Sequence, residues 1–267
     1  MTREGFIAAA GHSIYYKLIH LEEGWENRSL LIFLHEGLGS TAQWKTFPEI
    51  LCRETGCAGL LYDRYGYGKS QPLLELRDSG YLERAGAKEL PDLLAALELE
   101  QQVILVGHSD GGSVALVYAA VHPHRAEAVI TEAAHVFLEE VSISGILNTI
   151  ETYKQGKLKA LLEKYHGERT NSMFYGWAHT WTSVKFRHWS LEKHLGKITG
   201  PVLAIQGLDD EYGTPEQVHT IVNSAAGHAE AWLIPDCGHT PHLQKRDLVL
   251  ERMKAFIFEH TDLKPPQ

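Results

Sequence analysis

The chain has 267 residues, of which 44% are hydrophobic, and a formal net charge of −9 at pH 7. This length suits one large domain or two small ones, and it is enough to bury a full hydrophobic core. The acidic balance argues against binding to nucleic acid, because affinity for a phosphate backbone comes from clustered Lys and Arg. We therefore expect no nucleic-acid partner.

The cysteines and the apolar runs indicate in which cellular compartment the protein is expected. Cys52, Cys57 and Cys237 form no CxxC pair and no disulfide framework, which is typical of a reducing compartment. The N-terminal segment has too few consecutive apolar residues for a signal sequence, and every apolar run falls far short of the roughly 18 residues that span a membrane. The expectation is a soluble cytoplasmic protein, a monomer or a homodimer, with no membrane partner.

Short apolar runs alternate with longer segments of helical periodicity along most of the chain. Several of the short runs are continuously apolar, which is typical of parallel strands buried on both faces. Strands that alternate with helices predict an α/β protein with a mostly parallel sheet. In chain order, the predicted strands are residues 14–18, 30–34, 59–62, 103–106, 128–131, 202–205 and 231–234, and the predicted helices are residues 41–54, 79–98, 111–121, 215–225 and 244–259.

The alternation stops between residues 138 and 197, where helical periodicity continues without a convincing strand. The segment is mildly enriched in aromatic residues, among them Trp177 and Trp181. Because the strand pattern resumes directly after Pro201, we interpret the segment as a helical cap inserted into one core rather than as a separate domain. The predicted core then comprises residues 1–137 and 198–267.

Residues 107–111 read GHSDG, a G-x-S-x-G match that follows a predicted strand and precedes a predicted helix. In that context the serine occupies a strained turn and points its hydroxyl out from the top of the sheet. The turn needs small residues two positions before and after the serine, and Gly107 and Gly111 supply them. The pattern predicts Ser109 as a nucleophile; the alternative is a glycine-rich turn with an incidental serine.

Two further motifs precede this turn in the chain. Residues 34–40 read LHEGLGS and residues 63–70 read DRYGYGKS. With these motifs the chain resembles the α/β-hydrolase superfamily from about residue 13 to residue 260 and, in its serine turn, small bacterial esterases and the valacyclovir-hydrolase (biphenyl hydrolase-like) branch. The resemblance implies a mostly parallel, eight-stranded sheet flanked by helices. Glu36 departs from the family pattern, which usually has glycine there.

The resemblance also implies a base and an acid, because the triad of this superfamily runs along the chain as Ser, then Asp or Glu, then His. His239 stands in the Gly-His turn before the last predicted helix and is the expected base. Asp209, Asp210 and Glu211 follow the predicted strand before it, and the family pattern favours Asp210 as the acid. That carboxylate would hold the tautomer of His239 and stabilise its protonated form.

The oxyanion hole of this superfamily uses the backbone N–H groups of the residue after the nucleophile and of a residue in the loop after the third strand. Those positions are Asp110 and Gly37, and His35 is expected to brace the loop. The carboxylates of Asp110 and Glu36 suggest a preference for a cationic or polar substrate group. The alternative for Asp110 is helix capping without substrate contact. Further candidates for substrate binding are His135, Trp177 and Trp181.

Other patterns favour structural interpretations. Residues 68–70 read GKS, but a phosphate-binding loop would need glycine where Asp63 stands. Neither the pair His122 and His124 nor the pair His239 and His242 has further ligands at metal-binding spacing. We therefore predict no metal and no cofactor, and we interpret His242 as a surface or capping residue.

Together these residues predict a serine hydrolase, a carboxylesterase that cleaves a small ester through an acyl-enzyme. The same triad would serve a thioesterase, a lactonase, an aminopeptidase or a carbon–carbon bond hydrolase. The aromatic residues of the cap suggest an aromatic or apolar acyl or alcohol group. A small-molecule receptor is the alternative from another class; such proteins often lack a triad member, whereas all three are present in this sequence.

Overall fold

The structure, a computed structural model, describes residues 1–20 and 24–265. At its centre is one sheet of eight strands: β1 (Thr2–Ala9), β2 (His12–Ile19), β3 (Leu30–Leu34), β4 (Ala58–Tyr62), β5 (Val103–His108), β6 (Ala126–Glu132), β7 (Val202–Gly207) and β8 (Ala229–Ile234). Their order across the sheet is β1-β2-β4-β3-β5-β6-β7-β8. β2 runs antiparallel to both neighbours, and the remaining neighbours are parallel. The predicted eight-stranded, mostly parallel sheet is confirmed.

Every strand predicted from the sequence corresponds to a strand of this sheet, and β1 is the additional one. β1 lies at the edge of the sheet, pairs with β2 along its whole length and is mostly exposed. Its sequence, TREGFIAA, lacks the continuous apolar run of a buried strand. The continuous apolar run of the central strands is therefore missing from β1, because β1 has only one neighbouring strand and is not covered on both faces.

Helices cover both faces of the sheet: α1 (Phe47–Thr55), α2 (Tyr81–Arg84), α3 (Leu90–Ala96), α4 (Asp110–Val121), α5 (Glu140–Lys154), α6 (Lys157–His166), α7 (Thr170–Trp181), α8 (Glu192–Leu195), α9 (Glu216–Ser224), α10 (Pro241–Gln244) and α11 (Arg246–His260). α1 and α11 pack against one face, and α3, α4 and α9 pack against the other. Among the described residues, none of these helices has the length and apolar character needed to span a membrane.

The first predicted helix, residues 41–54, is wrong in its continuity. A 3-10 turn, Thr41–Trp44, is separated from α1 by Lys45 and Thr46, and Lys45 has a φ of 55°. Pro48 explains the interruption. Its ring would clash with the preceding turn inside a helix, but in the first turn of α1 its missing N–H costs no hydrogen bond.

The second predicted helix, residues 79–98, is shorter and not uniform. α2 leads through a π-helical turn, Ala85–Glu89, directly into α3. A Cβ atom on Gly86 would lie 2.6 Å from the carbonyl oxygen of Val114. At this turn the chain approaches the backbone of α4 so closely that only glycine fits.

Helices α5 to α8 all lie between β6 and β7, within the segment interpreted as a cap. α5 and α7 contribute side chains to a cavity above the carboxyl ends of the strands. An isolated bridge pairs Phe137 with Ser190 near the two ends of the segment. The division into a core of residues 1–137 and 198–267 and a cap of residues 138–197 stays a prediction.

Candidate active site

Ser109 occupies the tight turn between β5 and α4. Its φ of 53° and ψ of −119° are a backbone conformation that residues other than glycine rarely adopt. The turn closes because its glycines let backbone segments touch. A Cβ atom on Gly107 would collide with the carbonyl oxygen of Gly111, and one on Gly111 would collide with that of Leu34. The Ser109 hydroxyl is thereby placed at the carboxyl ends of the strands, where open α/β sheets form their sites.

His239 contacts both of its predicted partners. Its Nε2 lies 2.9 Å from Ser109 Oγ, and its Nδ1 lies 2.8 Å from Asp210 Oδ1. The three residues follow β5, β7 and β8. These strands are parallel, so their carboxyl ends lie on the same side of the molecule. Residues far apart in sequence are therefore brought into the arrangement that a nucleophile, its base and an orienting acid require.

Of the three acidic residues in the loop after β7, Asp210 faces His239. Its carboxylate is 1% exposed and also accepts the N–H of Tyr212 at 2.9 Å. Burial raises the pKa of Asp210, but its interactions with His239 lower that pKa more, so the net value lies below the usual one. Asp209 and Glu211 are exposed. The geometry favours Asp210 among the candidates.

Four histidines in or beside the site differ in their environments: His35, His108 and His135 are buried, and His239 is partly exposed. Burial lowers the pKa of His239, but the Asp210 carboxylate raises it more, so the net pKa lies above the usual value. Burial, assisted by neighbouring positive charges, brings the pKa of His35, His108 and His135 below the usual value. A general base works best when its pKa lies near the working pH. Among these histidines, His239 is therefore the one suited to that role.

The two backbone donors predicted for the oxyanion hole line the same cavity as Ser109. No described residue accepts a hydrogen bond from the N–H of Gly37 or of Asp110. Both donors are therefore available to a negatively charged oxygen. A Cβ atom on Gly37 would collide with the indole nitrogen of Trp177, so glycine is what lets α7 lie directly on this loop.

Hydrogen bonds from neighbouring residues and within the loop itself hold the Gly37 loop in place. His35 Nδ1 donates to the carbonyl oxygen of Glu36 at 2.8 Å, and its Nε2 accepts the backbone N–H of Arg64 at 3.1 Å. The Arg64 guanidinium donates to the carbonyl oxygens of His35 and Glu36. The Glu36 carboxylate accepts the N–H of Leu38 at 2.8 Å. His35 thus occupies the expected bracing position, and Glu36 stabilises the loop from within.

The side chain of Asp110 is engaged by the protein itself. Tyr81 donates its hydroxyl hydrogen to Oδ2 at 2.6 Å, Arg64 Nη1 lies 3.5 Å from that oxygen, and the carboxylate is 1% exposed. Trp181 Nε1 donates to the Tyr81 hydroxyl at 2.8 Å, which links α7 to the start of α4. These partners do not support a substrate cation at Asp110. Glu36, by contrast, forms no ion pair within 4 Å in the described part of the chain.

A cavity of about 180 Å³ opens beside the Ser109 hydroxyl, and all the predicted substrate-binding residues line it. Its size suits a small acyl or alcohol group. Ser142 and Ile146 were missed by sequence reasoning, although their i, i+4 spacing on α5 places them on one helix face. The other lining residues that were missed each lie within two positions of a predicted site residue; they are Leu38, His108, Tyr212 and Thr240.

His242 is a correction to the prediction of a surface or capping residue. It is 3% exposed, and its backbone N and Nδ1 lie 2.8 and 3.0 Å from Glu132 Oε2. Beside this pair, His108 Nε2 donates to the carbonyl oxygen of His239 at 2.6 Å. The cluster supports the turn that carries His239. Because 110 residues separate His242 from Glu132, no local pattern predicts their contact.

Known proteins resemble the chain over most of its length. A proline iminopeptidase of Saccharolobus solfataricus is 24% identical, with 96% of this chain and 92% of that protein aligned. An sn-1-specific diacylglycerol lipase of Mus musculus is 24% identical, with 89% and 84% aligned. Among solved structures, a bacterial membrane phospholipase A superposes with a TM-score of 0.78 at 19% identity, covering 97% of this chain and 86% of that one. That structural likeness concerns the fold.

A family profile gives evidence that does not depend on any single relative. The sequence profile of the alpha/beta hydrolase family matches residues 31–252, from the first central strand into the last helix. That range includes the serine turn, the loop after β7 and the turn that carries His239. The chain therefore belongs to the alpha/beta hydrolase family.

Proposed function

We propose that the protein is a serine hydrolase that cleaves small carboxylic esters through an acyl-enzyme. The observation that carries the proposal is the pair of contacts at His239, 2.9 Å to Ser109 and 2.8 Å to Asp210. A serine hydroxyl is a weak nucleophile and needs an adjacent base. The sn-1-specific diacylglycerol lipase among the compared proteins bears the name of an ester hydrolase, which supports this substrate class.

In the first half of the reaction, Ser109 Oγ attacks the carbonyl carbon of the ester while His239 Nε2 accepts the hydroxyl proton. The ionised Asp210 stabilises the imidazolium that forms. The carbonyl oxygen becomes an oxyanion and accepts hydrogen bonds from the backbone N–H groups of Gly37 and Asp110. When the intermediate collapses, the C–O bond to the alcohol breaks, and the alcohol leaves with the proton from His239.

In the second half, water replaces the alcohol. His239 Nε2 accepts a proton from the water as its oxygen attacks the acyl carbon, and the same two N–H groups stabilise the second oxyanion. The bond between the acyl carbon and Ser109 Oγ then breaks, and His239 returns the proton to that oxygen. The acid is released, and every step draws on groups of this chain.

A fluorophosphonate probe together with a p-nitrophenyl ester tests the proposal. We expect the probe to label Ser109, as located by mass spectrometry of the modified peptide, and to abolish hydrolysis of the ester. Ser113 is an internal control, since its hydroxyl donates to the carbonyl oxygen of His135 at 2.6 Å and should stay unlabelled. Folded protein that is neither labelled nor active would overturn the proposal and favour a small-molecule receptor.

A second candidate is hydrolysis next to an amino group, as in a peptide or an amino-acid ester. Glu36 favours it, because its side chain lines the cavity beside Gly37 and carries a carboxylate where a substrate ammonium could bind. The similarity to proline iminopeptidases also supports it. Burial raises the pKa of Glu36, so this attraction needs a pH high enough to ionise the carboxylate and low enough to keep the substrate amino group protonated.

The Glu36→Gln variant separates the two candidates. If the substrate carries an ammonium group, we expect the wild type to prefer an α-amino ester over its neutral counterpart. We expect the variant to lose that preference by about tenfold, which corresponds to about 1.4 kcal/mol. The ratio of kcat/KM values measures the preference, and Gln can still accept the N–H of Leu38. Glu211→Gln is the matched control, because Glu211 is exposed at the same cavity and screened by solvent. A wild type without this preference would remove the second candidate, and a preference that survives unchanged in Glu36→Gln would remove Glu36 as its cause.

A further inference from the structure

Three side chains converge on one point at the edge of the sheet. His228 directly precedes β8, Glu230 is the second residue of β8, and His260 is the last residue of α11. The Nε2 atoms of His228 and His260 lie 2.9 and 2.8 Å from the same carboxylate oxygen, Glu230 Oε1. The two imidazole rings are stacked, with their centroids 4.5 Å apart. All three candidate ligand atoms lie within 4.8 Å of one another.

The fold places this cluster away from Ser109. Residues 228 and 230 share a strand face because side chains alternate along a strand. α11 follows β8 and returns across the sheet, so its last residue reaches the beginning of that strand. The triad lies at the carboxyl ends of the strands, whereas this cluster lies at the amino end of β8. The two sites therefore share no residue.

The atoms present are those of a transition-metal site. Two imidazole nitrogens and one carboxylate oxygen form a set of donors that binds Zn²⁺ and related divalent ions, with water in the fourth position. The groups already touch, so a small outward movement of the Glu230 side chain would open the space for a metal with bonds of about 2.0–2.1 Å. The side chains are 55%, 28% and 23% exposed in chain order, which gives an ion access from solvent.

Neighbouring side chains hold the Glu230 carboxylate in place and lower its pKa, and both effects favour its role as a ligand. Arg252 contacts its other oxygen, Oε2, and so holds the carboxylate in place, as outer hydrogen-bond partners commonly do for ligating groups. Burial raises the pKa of Glu230, but the hydrogen bonds from His228 and His260 lower it more, so the net pKa lies below the usual value. Oε1 is thus left for the two histidines and for an ion between them.

We propose that His228, Glu230 and His260 bind one divalent transition-metal ion, which fastens the edge strand β8 to the end of the last helix. On binding, an imidazole that carries its hydrogen on Nε2 shifts it to Nδ1, and an imidazolium releases its extra proton to water. Metal affinity should therefore fall as the pH is lowered. Because this site is separate from the triad, the proposal is independent of the substrate that the enzyme cleaves.

Calorimetric titration of metal-stripped protein with ZnCl₂ tests the site directly. We expect one ion per chain, a dissociation constant in the micromolar range or below, and a rise in Tm on addition of Zn²⁺. Replacement of a ligand in His260→Gln or His228→Gln should weaken binding by about 10–100-fold or more. His219→Gln is the matched control, because His219 is an exposed histidine 3.9 Å from Glu216 and should leave the affinity unchanged.

Two results would overturn the proposal. One is a wild-type protein that shows no saturable binding and no rise in Tm with Zn²⁺. The other is binding that survives both ligand variants, or that is lost instead in His239→Gln, which would assign the ion to the triad. Co²⁺ supplies a second readout, since a tetrahedral site with histidine and carboxylate ligands gives visible absorption that the ligand variants should lose. Circular dichroism confirms that each variant is folded.

Discussion

The Ser109→Ala variant should lose ester hydrolysis almost completely, with kcat lower by about 10⁵–10⁶-fold. The substitution removes the atom that attacks the carbonyl carbon, and nothing else in the cavity replaces it. The N–H groups of Gly37 and Asp110 remain, so a residual rate above that of the uncatalysed reaction is expected. Saturation kinetics with a p-nitrophenyl ester measure the loss.

Ser113→Ala is the control for this variant. Ser113 also lies in the first turns of α4, but its hydroxyl donates to the carbonyl oxygen of His135 at 2.6 Å. Its only contact with Ser109 is a 3.5 Å approach to the backbone carbonyl oxygen, and it touches no reacting side-chain atom. We expect it to retain most of the wild-type kcat. Full activity of Ser109→Ala would contradict the assignment of the nucleophile, and an equal loss in both variants would point to damage to the fold, which a circular dichroism spectrum would show.

Asp210→Asn should lower kcat by about 10,000-fold, because the amide cannot hold the required tautomer of His239 or stabilise its cation.

The pH dependence of hydrolysis gives a second prediction for Asp210→Asn. Hydrolysis needs neutral His239, whose pKa is raised by Asp210 although burial opposes this. The wild-type rate should therefore fall with acidification at a pH above the usual histidine value of about 6.5. Without the carboxylate the pKa of His239 falls, and this acidic limb moves to lower pH.

Asp209→Asn is the matched control for that experiment, since Asp209 is the preceding residue and is exposed. Its kcat/KM and its acidic limb should stay close to those of the wild type. A large effect in Asp209→Asn would transfer the role of the acid to that residue. An acidic limb that does not move in Asp210→Asn would contradict the electrostatic coupling between Asp210 and His239.

The sequence by itself determined seven of the eight strands and the three loops that carry Ser109, Asp210 and His239. Strands buried on both faces need continuous apolar runs, and the serine turn needs Gly107 and Gly111 because its backbone segments touch. Both requirements are local and therefore visible in the residue pattern. The edge strand β1 was not predicted for the same reason, because an exposed strand needs no continuous apolar run. Pro48 would have located the break in the first predicted helix.

Only the tertiary structure decided which charges remain available to a substrate. Glu36 precedes one predicted oxyanion donor, Gly37, and Asp110 is the other, so both carry carboxylates at the site. Arg64 and Tyr81, however, engage the Asp110 carboxylate. In the same way, His260 joins His228 and Glu230 only because α11 returns across the sheet. The physical reason is that the charge and partners of a buried group depend on whatever the fold brings within a few ångströms, and spacing along the chain does not encode that neighbourhood.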